Sequence, residues 1–104
     1  MYVIIWEYQV KVDRINEFEK VYNSNGAWAE LFRKGNGYFS TELLHDETQP
    51  QRYITIDRWD SAQEYAAFHA QFNNEYETLD SICEDLTERE TLLGKWESVN
   101  NETR

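Results

Sequence analysis

Within the stretch RYITIDRWDSAQEYAAFHAQFNNEY, residues 52–76, one hydrophobic periodicity gives way to another, and this switch most limits what the chain can become. Residues 52–59 are rich in β-branched and aromatic side chains, which suit a pleated, half-buried surface. Asp60-Ser61 then supplies an N-cap, because a short oxygen-bearing side chain can accept from the free N–H groups of a first helical turn. Beyond it Ala62, Tyr65, Ala66, His69, Phe72 and Tyr76 recur on one face at 3.6-residue spacing. A strand ending in Trp59 thus leads into a helix whose apolar stripe holds a single histidine at its centre.

The flanking sequence gives the rest of the order. Residues 2–12 read as a strand, with Tyr2, Ile4, Trp6, Tyr8, Val10 and Val12 on one face and Val3 and Ile5 on the other. Asp13 is the expected cap of a helix that turns Ile15, Phe18, Val21 and Tyr22 inward. Asn23-Ser24-Asn25-Gly26 breaks it, a short helix over 27–34 presents Trp28, Leu31 and Phe32, and Gly35-Asn36-Gly37 turns the chain. Residues 38–45 form the second strand, in which Phe39, Thr41 and Leu43 alternate with Tyr38, Ser40 and Glu42. A polar turn ending at Pro50 pairs this strand with 52–59 as a hairpin.

A helix unbroken from Ser61 to Leu86 would be about 39 Å long, so a break is expected at Asn73-Asn74. Its second half turns Tyr76, Leu79, Ile82, Cys83 and Leu86 inward and Glu75, Glu77, Asp80, Glu84 and Asp85 largely outward. Residues 90–97, with Leu92, Leu93 and Trp96, form the last strand, and 98–104 is a polar tail.

The order β-αα-β-β-αα-β predicts one α+β domain over 1–97: a ferredoxin-like four-stranded antiparallel sheet with its helices on one face. The strands carry apolar residues on both faces, as in Ile4 and Val3, Ile54 and Tyr53, and Leu92 and Leu93. The face without helices therefore needs cover, and a second copy of the chain is the simplest cover, so a homodimer is expected.

Charge narrows the partners. The formal net charge is −10, so nucleic acid and anionic membranes are repelled. No apolar stretch approaches the roughly 20 residues of a spanning helix, and Val3–Trp6 is too short for a signal core. Cys83 is the one cysteine and cannot form an intrachain disulfide, which fits a reducing compartment and predicts a cytoplasmic protein.

Several pieces resemble the antibiotic biosynthesis monooxygenase-like family. They are Gly26-Ala27-Trp28-Ala29-Glu30-Leu31-Phe32, Gly37-Tyr38-Phe39-Ser40-Thr41-Glu42-Leu43-Leu44, Arg52-Tyr53-Ile54-Thr55-Ile56-Asp57-Arg58-Trp59-Asp60-Ser61, Tyr65, Phe68-His69, Leu86-Thr87-Glu88 and Leu93-Gly94-Lys95-Trp96. The resemblance implies a dimeric α+β barrel. It also implies one of that family's activities, which include cofactor-independent quinone-forming oxygenation and haem degradation. The haem branch matches poorly. Phe68 stands where its pattern has tryptophan, Thr78 falls near the haem-ligating histidine, and Trp6 and Glu7 replace a first-strand asparagine. No metal, flavin or haem cofactor is expected.

Triplet oxygen reacts sluggishly with closed-shell organic molecules. An enzyme without metal or flavin must enrich its substrate in electrons, usually by removing a proton. That takes a base, a dry pocket and donors for the oxyanion. His69 is the candidate base, or a donor to a phenolic oxygen, with Trp59, Tyr65, Phe68 and Phe72 as aromatic walls for the ligand. The competing reading makes His69 a neutral core residue that fills space. Cys83 on its apolar helical face reads as inert packing. His45-Asp46-Glu47 and the acidic run 80–90 read as solvated surface, and no metal-ligand spacing or phosphate-binding glycine loop is present. The sequence therefore points to an oxygenase acting on a small aromatic or quinone-type molecule. The alternative is a non-catalytic dimeric module that binds a small ligand or a protein.

Overall fold

The computed structural model describes residues 1–99. In chain order it contains β1 (Tyr2–Val10), α1 (Ile15–Tyr22), α2 (Ala27–Phe32), β2 (Tyr38–His45), β3 (Arg52–Trp59), α3 (Ala62–Cys83), a 3-10 turn (Glu84–Leu86) and β4 (Thr87–Glu97). The strands pair antiparallel in the order β2-β3-β1-β4, and the helices cover one face, as the ferredoxin-like expectation requires. The tail expected over 98–104 falls for the most part on residues 100–104, outside those described.

Strand alternation decides the layers. In β3 the side chains of Tyr53, Thr55, Asp57 and Trp59 are buried under the helices, while Ile54, Ile56 and Arg58 turn to the other face. The core joins Ile4, Tyr8 and Val10 of β1 to Phe18 and Tyr22 of α1, Trp28, Leu31 and Phe32 of α2, and Phe68 of α3. Aromatic rings dominate it. Phe18 stacks on Tyr22 at 4.2 Å between centroids, and Phe32 meets Trp59 edge-on at 5.7 Å.

Several boundaries differ from the sequence reading. β1 stops at Val10 because the chain bends away, with the Lys11 N–H donating to the Leu86 carbonyl at 3.0 Å, and Val12 is left exposed. Arg14 holds the N-cap position of α1 without a side-chain bond, so Asp13 is not the cap. α2 ends at Phe32, and β4 starts at Thr87, directly after the 3-10 turn. Ser61 does cap α3, accepting from the Glu64 N–H at 3.1 Å.

α3 runs for 22 residues and kinks at Phe72 (φ −115°, ψ 27°), one residue before the expected break. The kink resets the inward stripe. Tyr65, Phe68, His69 and Phe72 face inward before it, and Tyr76, Leu79, Asp80 and Cys83 after it. Ala66 and Ile82 therefore lie on the flanks and are exposed, while Asp80, expected outward, is half-buried.

Apolar side chains also line the face without helices. Ile5 pairs with Ile56 on one side and with Gly94 on the other, and Val3 pairs with Trp96. A Cβ at Gly94 would meet the Trp96 ring at 2.7 Å, so the indole lies over that glycine. β2 shifts register between Tyr38 and Ser40, and β4 shifts opposite Ile5 and Trp6. These shifts leave Phe39 and Leu93 as extra residues, and both are exposed; Phe39 does not share an inward face with Thr41. No helix among the described residues is long and apolar enough to cross a membrane.

Candidate active site

Asp57 is an ionisable side chain on the buried face of β3, only 8% exposed. It stands opposite Thr41 of β2, whose hydroxyl donates to Asp57 Oδ1 at 2.6 Å. Tyr38 donates in turn to Thr41 Oγ1 at 2.7 Å. The three residues form a directed relay that ends on one carboxylate oxygen. No other donor among the described residues is bonded to the carboxylate, which leaves Oδ2 without a partner. Beside it Tyr8 and Thr55 share a hydroxyl–hydroxyl bond of 3.0 Å.

The carboxylate borders a cavity of about 120 Å³ between sheet and helices. The sheet contributes Trp6, Tyr8, Thr41, Thr55 and Asp57, and the helices contribute Tyr22, Trp28, Phe32 and Tyr76. Asp80 and Glu90 complete the lining; Glu90 is exposed and Asp80 half-buried, so they mark the side that meets water. Six of the eleven lining residues are aromatic, which favours a flat apolar occupant, and none is Lys, Arg or His. Trp28 is 7% exposed, and its indole N–H is shielded beside Tyr22 and Cys83. The acceptor left open on the cavity is Asp57 Oδ2, which is costly unless something completes it.

The cavity disfavours negative charge. Burial raises the Asp57 carboxyl to about 6, with the Thr41 bond pulling the other way. Burial likewise holds the Tyr8 and Tyr22 phenols well above their ordinary value. Tyr76 is pushed up to about 12 by burial, then by Asp80, Glu90 and Asp57. Although Glu90 is exposed as a residue, its carboxyl is raised by partial loss of solvent and then by repulsion from Asp80 and Glu84.

The residues singled out from the sequence do come together, but behind this cavity. Trp59 (0% exposed) and Phe68 (1% exposed) present no surface to it and pack at 5.2 Å between ring centroids. Both rings back Phe32, which does line it. Tyr65 meets Trp59 at 5.4 Å, and Phe72 meets Phe68 at 5.6 Å. His69 is half-buried between Tyr65 at 4.5 Å and Tyr76 at 4.6 Å. It reaches the cavity only through Tyr76, because the helical spacing of α3 puts Tyr76, two turns on, between it and the open space. Burial, then Lys95, lowers its pKa, which favours the neutral imidazole.

Asp57 was legible in principle. Tyr53, Thr55, Asp57 and Trp59 share one side of a period-2 strand, and a carboxylate among them sits on the core face. The helical stripe drew attention to His69 instead. Asp80 and Glu90 were masked by the acidic run around them, which reads as uniform surface.

Asp46 accepts from the Thr48 and Gln49 N–H groups and from Arg52, which completes the β2–β3 turn. The described residues include no group of three or more His, Cys, Asp or Glu able to hold a metal. Cys83 is buried, and burial raises its thiol pKa.

The sequence profile of the antibiotic biosynthesis monooxygenase family matches residues 1–72. No curated protein sequence matches the chain. Solved structures share its fold. A variant of SnoaB, a cofactor-independent oxygenase from Streptomyces nogalater, superposes with a TM-score of 0.70 at 18% identity, covering 96% of this chain and 94% of that one. A candidate antibiotic biosynthesis monooxygenase from Deinococcus radiodurans gives 0.76 at 12% identity, covering 100% and 98%. A variant of MhuD with two manganese protoporphyrin IX molecules bound per active site gives 0.69 at 19% identity, covering 100% of each chain.

A porphyrin does not fit the cavity seen here. At about 120 Å³ it is of the same order as the roughly 150 Å³ engineered cavity that takes one benzene and far short of a tetrapyrrole; its lining has no His, Cys or Met to ligate iron, and burial keeps the phenols of Tyr8, Tyr22 and Tyr76 protonated. Thr78, which stands near the position of a haem-ligating histidine, is exposed on α3.

Proposed function

Because the chain belongs to the antibiotic biosynthesis monooxygenase family, we propose that it is an oxygenase working without a bound cofactor on a small phenol-type molecule held beside Asp57. The observation that carries this reading is the carboxylate itself: buried, tied through Oδ1 to Thr41, and open at Oδ2 in an aromatic cavity.

Asp57 takes the phenolic proton. The electron-rich phenolate gives one electron to O₂, and the two radicals join at a ring carbon. Asp57 returns its proton to the outer oxygen. The ring C–H proton then leaves, the O–O bond breaks, and hydroxide departs to complete a water molecule. In balance, phenol and O₂ give a quinone and water. Proton transfer to a carboxylate near 6 is uphill by about 5 kcal/mol from a phenol near pKa 10, and by about 8 kcal/mol if the cavity raises that phenol to about 12 as it does Tyr76. Either value lies well within the barrier of about 16 kcal/mol that corresponds to ten turnovers per second.

In this reading Trp59 and Phe68 back Phe32 against the ligand, and Tyr65 and Phe72 support them from behind. His69 contributes through Tyr76. We further propose that two copies join through the open sheet face around Ile5, Ile56 and Trp96.

The test is oxygen uptake with a panel of phenols and hydroquinones, comparing the parent with Asp57→Asn. Quinone formation in the parent, reduced roughly 10²-fold or more in the folded variant, is the expected outcome. Tight binding of the same compounds with no oxygen uptake by the parent would leave a non-catalytic ligand-binding module.

A further inference from the structure

The cavity poses a problem to any phenol that must lose its proton inside it. Three carboxylates line it, Asp57 deep in the cavity and Asp80 and Glu90 toward water, and no lysine, arginine or histidine lines it to balance them. The tyrosines in its wall show the result, since Tyr76 is driven up to about 12 by burial and by these same carboxylates. A substrate phenolate would be opposed in the same way. The positive charge has to arrive with the ligand.

Geometry restricts how it arrives. Asp57 Oδ2 is the open acceptor at the buried side of the cavity. A hydroxyl suits it, since it has one hydrogen to donate. At the other side Asp80 and Glu90 repel one another, which a cation between them would relieve. Tyr8, Tyr22, Trp28 and Tyr76 offer ring faces of the kind that attract organic cations. The volume of about 120 Å³ admits one ring.

We propose that this cavity selects a one-ring phenol bearing a protonated amine, its hydroxyl at Asp57 and its ammonium held by Asp80 and Glu90. The placement of the hydroxyl rests on the oxygenase reading above; the preference for the cation rests on the lining alone. The net charge of −10 works in the same direction by drawing cations toward the protein.

Three probes of one shape separate the possibilities: tyramine as the cation, 4-ethylphenol as the neutral isostere and 4-hydroxyphenylacetate as the anion. Binding is measured by anaerobic calorimetry at neutral pH, so that turnover plays no part. Tyramine is expected to bind roughly tenfold or more tighter than 4-ethylphenol, and the anion weakest, as desolvated cation–π and charge contacts imply. Added salt should weaken tyramine alone. The double variant Asp80→Asn, Glu90→Gln, on the wet side where folding is least at risk, should erase the advantage of tyramine while sparing 4-ethylphenol. Equal or tighter binding of 4-ethylphenol or of the anion overturns the proposal, as does an absence of binding by all three. Oxygen uptake is read separately. Tyramine bound but never oxidised would sink the oxygenase reading and spare this one, whereas neutral phenols bound and oxidised as well as tyramine would do the reverse.

Discussion

Thr41 faces Asp57 across the β2–β3 pair and gives its hydroxyl hydrogen to Oδ1 at 2.6 Å. Tyr38 fills the hydroxyl's acceptor side at 2.7 Å, so the threonine cannot rotate its hydrogen away without losing both bonds. The carboxylate is held in one orientation by a neutral partner, and its second oxygen is left for the cavity.

Replacing Thr41 by Val keeps the shape and removes the relay. Asp57 loses the one bond that favours its charged form, so its pKa should climb further above about 6. The loss of stability should be about 1–3 kcal/mol, the usual cost of leaving buried polar groups unpaired. Urea unfolding reads the second effect. A pH–rate profile reads the first, as a shift of the acidic limb to higher pH.

Asp57→Asn should raise stability at alkaline pH. The folded carboxyl titrates near 6 and the unfolded one near 3.9, so between these values the native state binds more protons and stability falls as pH rises. The penalty is absent well below pH 4, complete above pH 6, and amounts to roughly 3 kcal/mol for a shift of about two units. The variant should therefore gain on the parent at pH 8 and gain little at pH 4. A gain of equal size at both would show that Asp57 is not the group responsible.

His69→Gln should cost about 1–2 kcal/mol of stability through lost packing on Tyr65 and Tyr76. Turnover and affinity should stay within a few-fold, since His69 lies behind Tyr76. A folded variant slowed roughly 10²-fold or more would transfer the role of base from Asp57 to His69.

Ile56→Glu puts a charge at the middle of the open sheet face, opposite Ile5. Light scattering should show a dimer for the parent and a monomer for this variant, with little change in the secondary-structure signal. A parent that stays monomeric at micromolar concentration removes the dimer proposal.

The fold was legible because its rules are local. Period-2 alternation placed β1, β2 and β3, Ser61 announced α3, and the length of the last helix required a break near Phe72. What failed depended on tertiary geometry. Val12 looks like a continuing strand residue until the chain turns toward Leu86. Phe39 and Leu93 keep a strand-like composition, but a register shift leaves each as an extra residue. Which residues line the cavity was hidden for the same reason. His69 stands out along the helix, yet which side chain reaches a cavity depends on how the layers stack, and there the inward carboxylate of β3 lies closer.

The register shifts, one in β2 and two along β4, have a consequence for how copies of the chain can meet. β2 and β4 are the outermost strands, and each is interrupted by an extra residue. A straight border of free N–H and C=O groups would invite a neighbour's strand to add on, and repetition of that step builds ribbons without end. An interrupted border offers no such continuous template. The contact proposed above, through the broad side of the sheet, has no such repeat and would close after two copies.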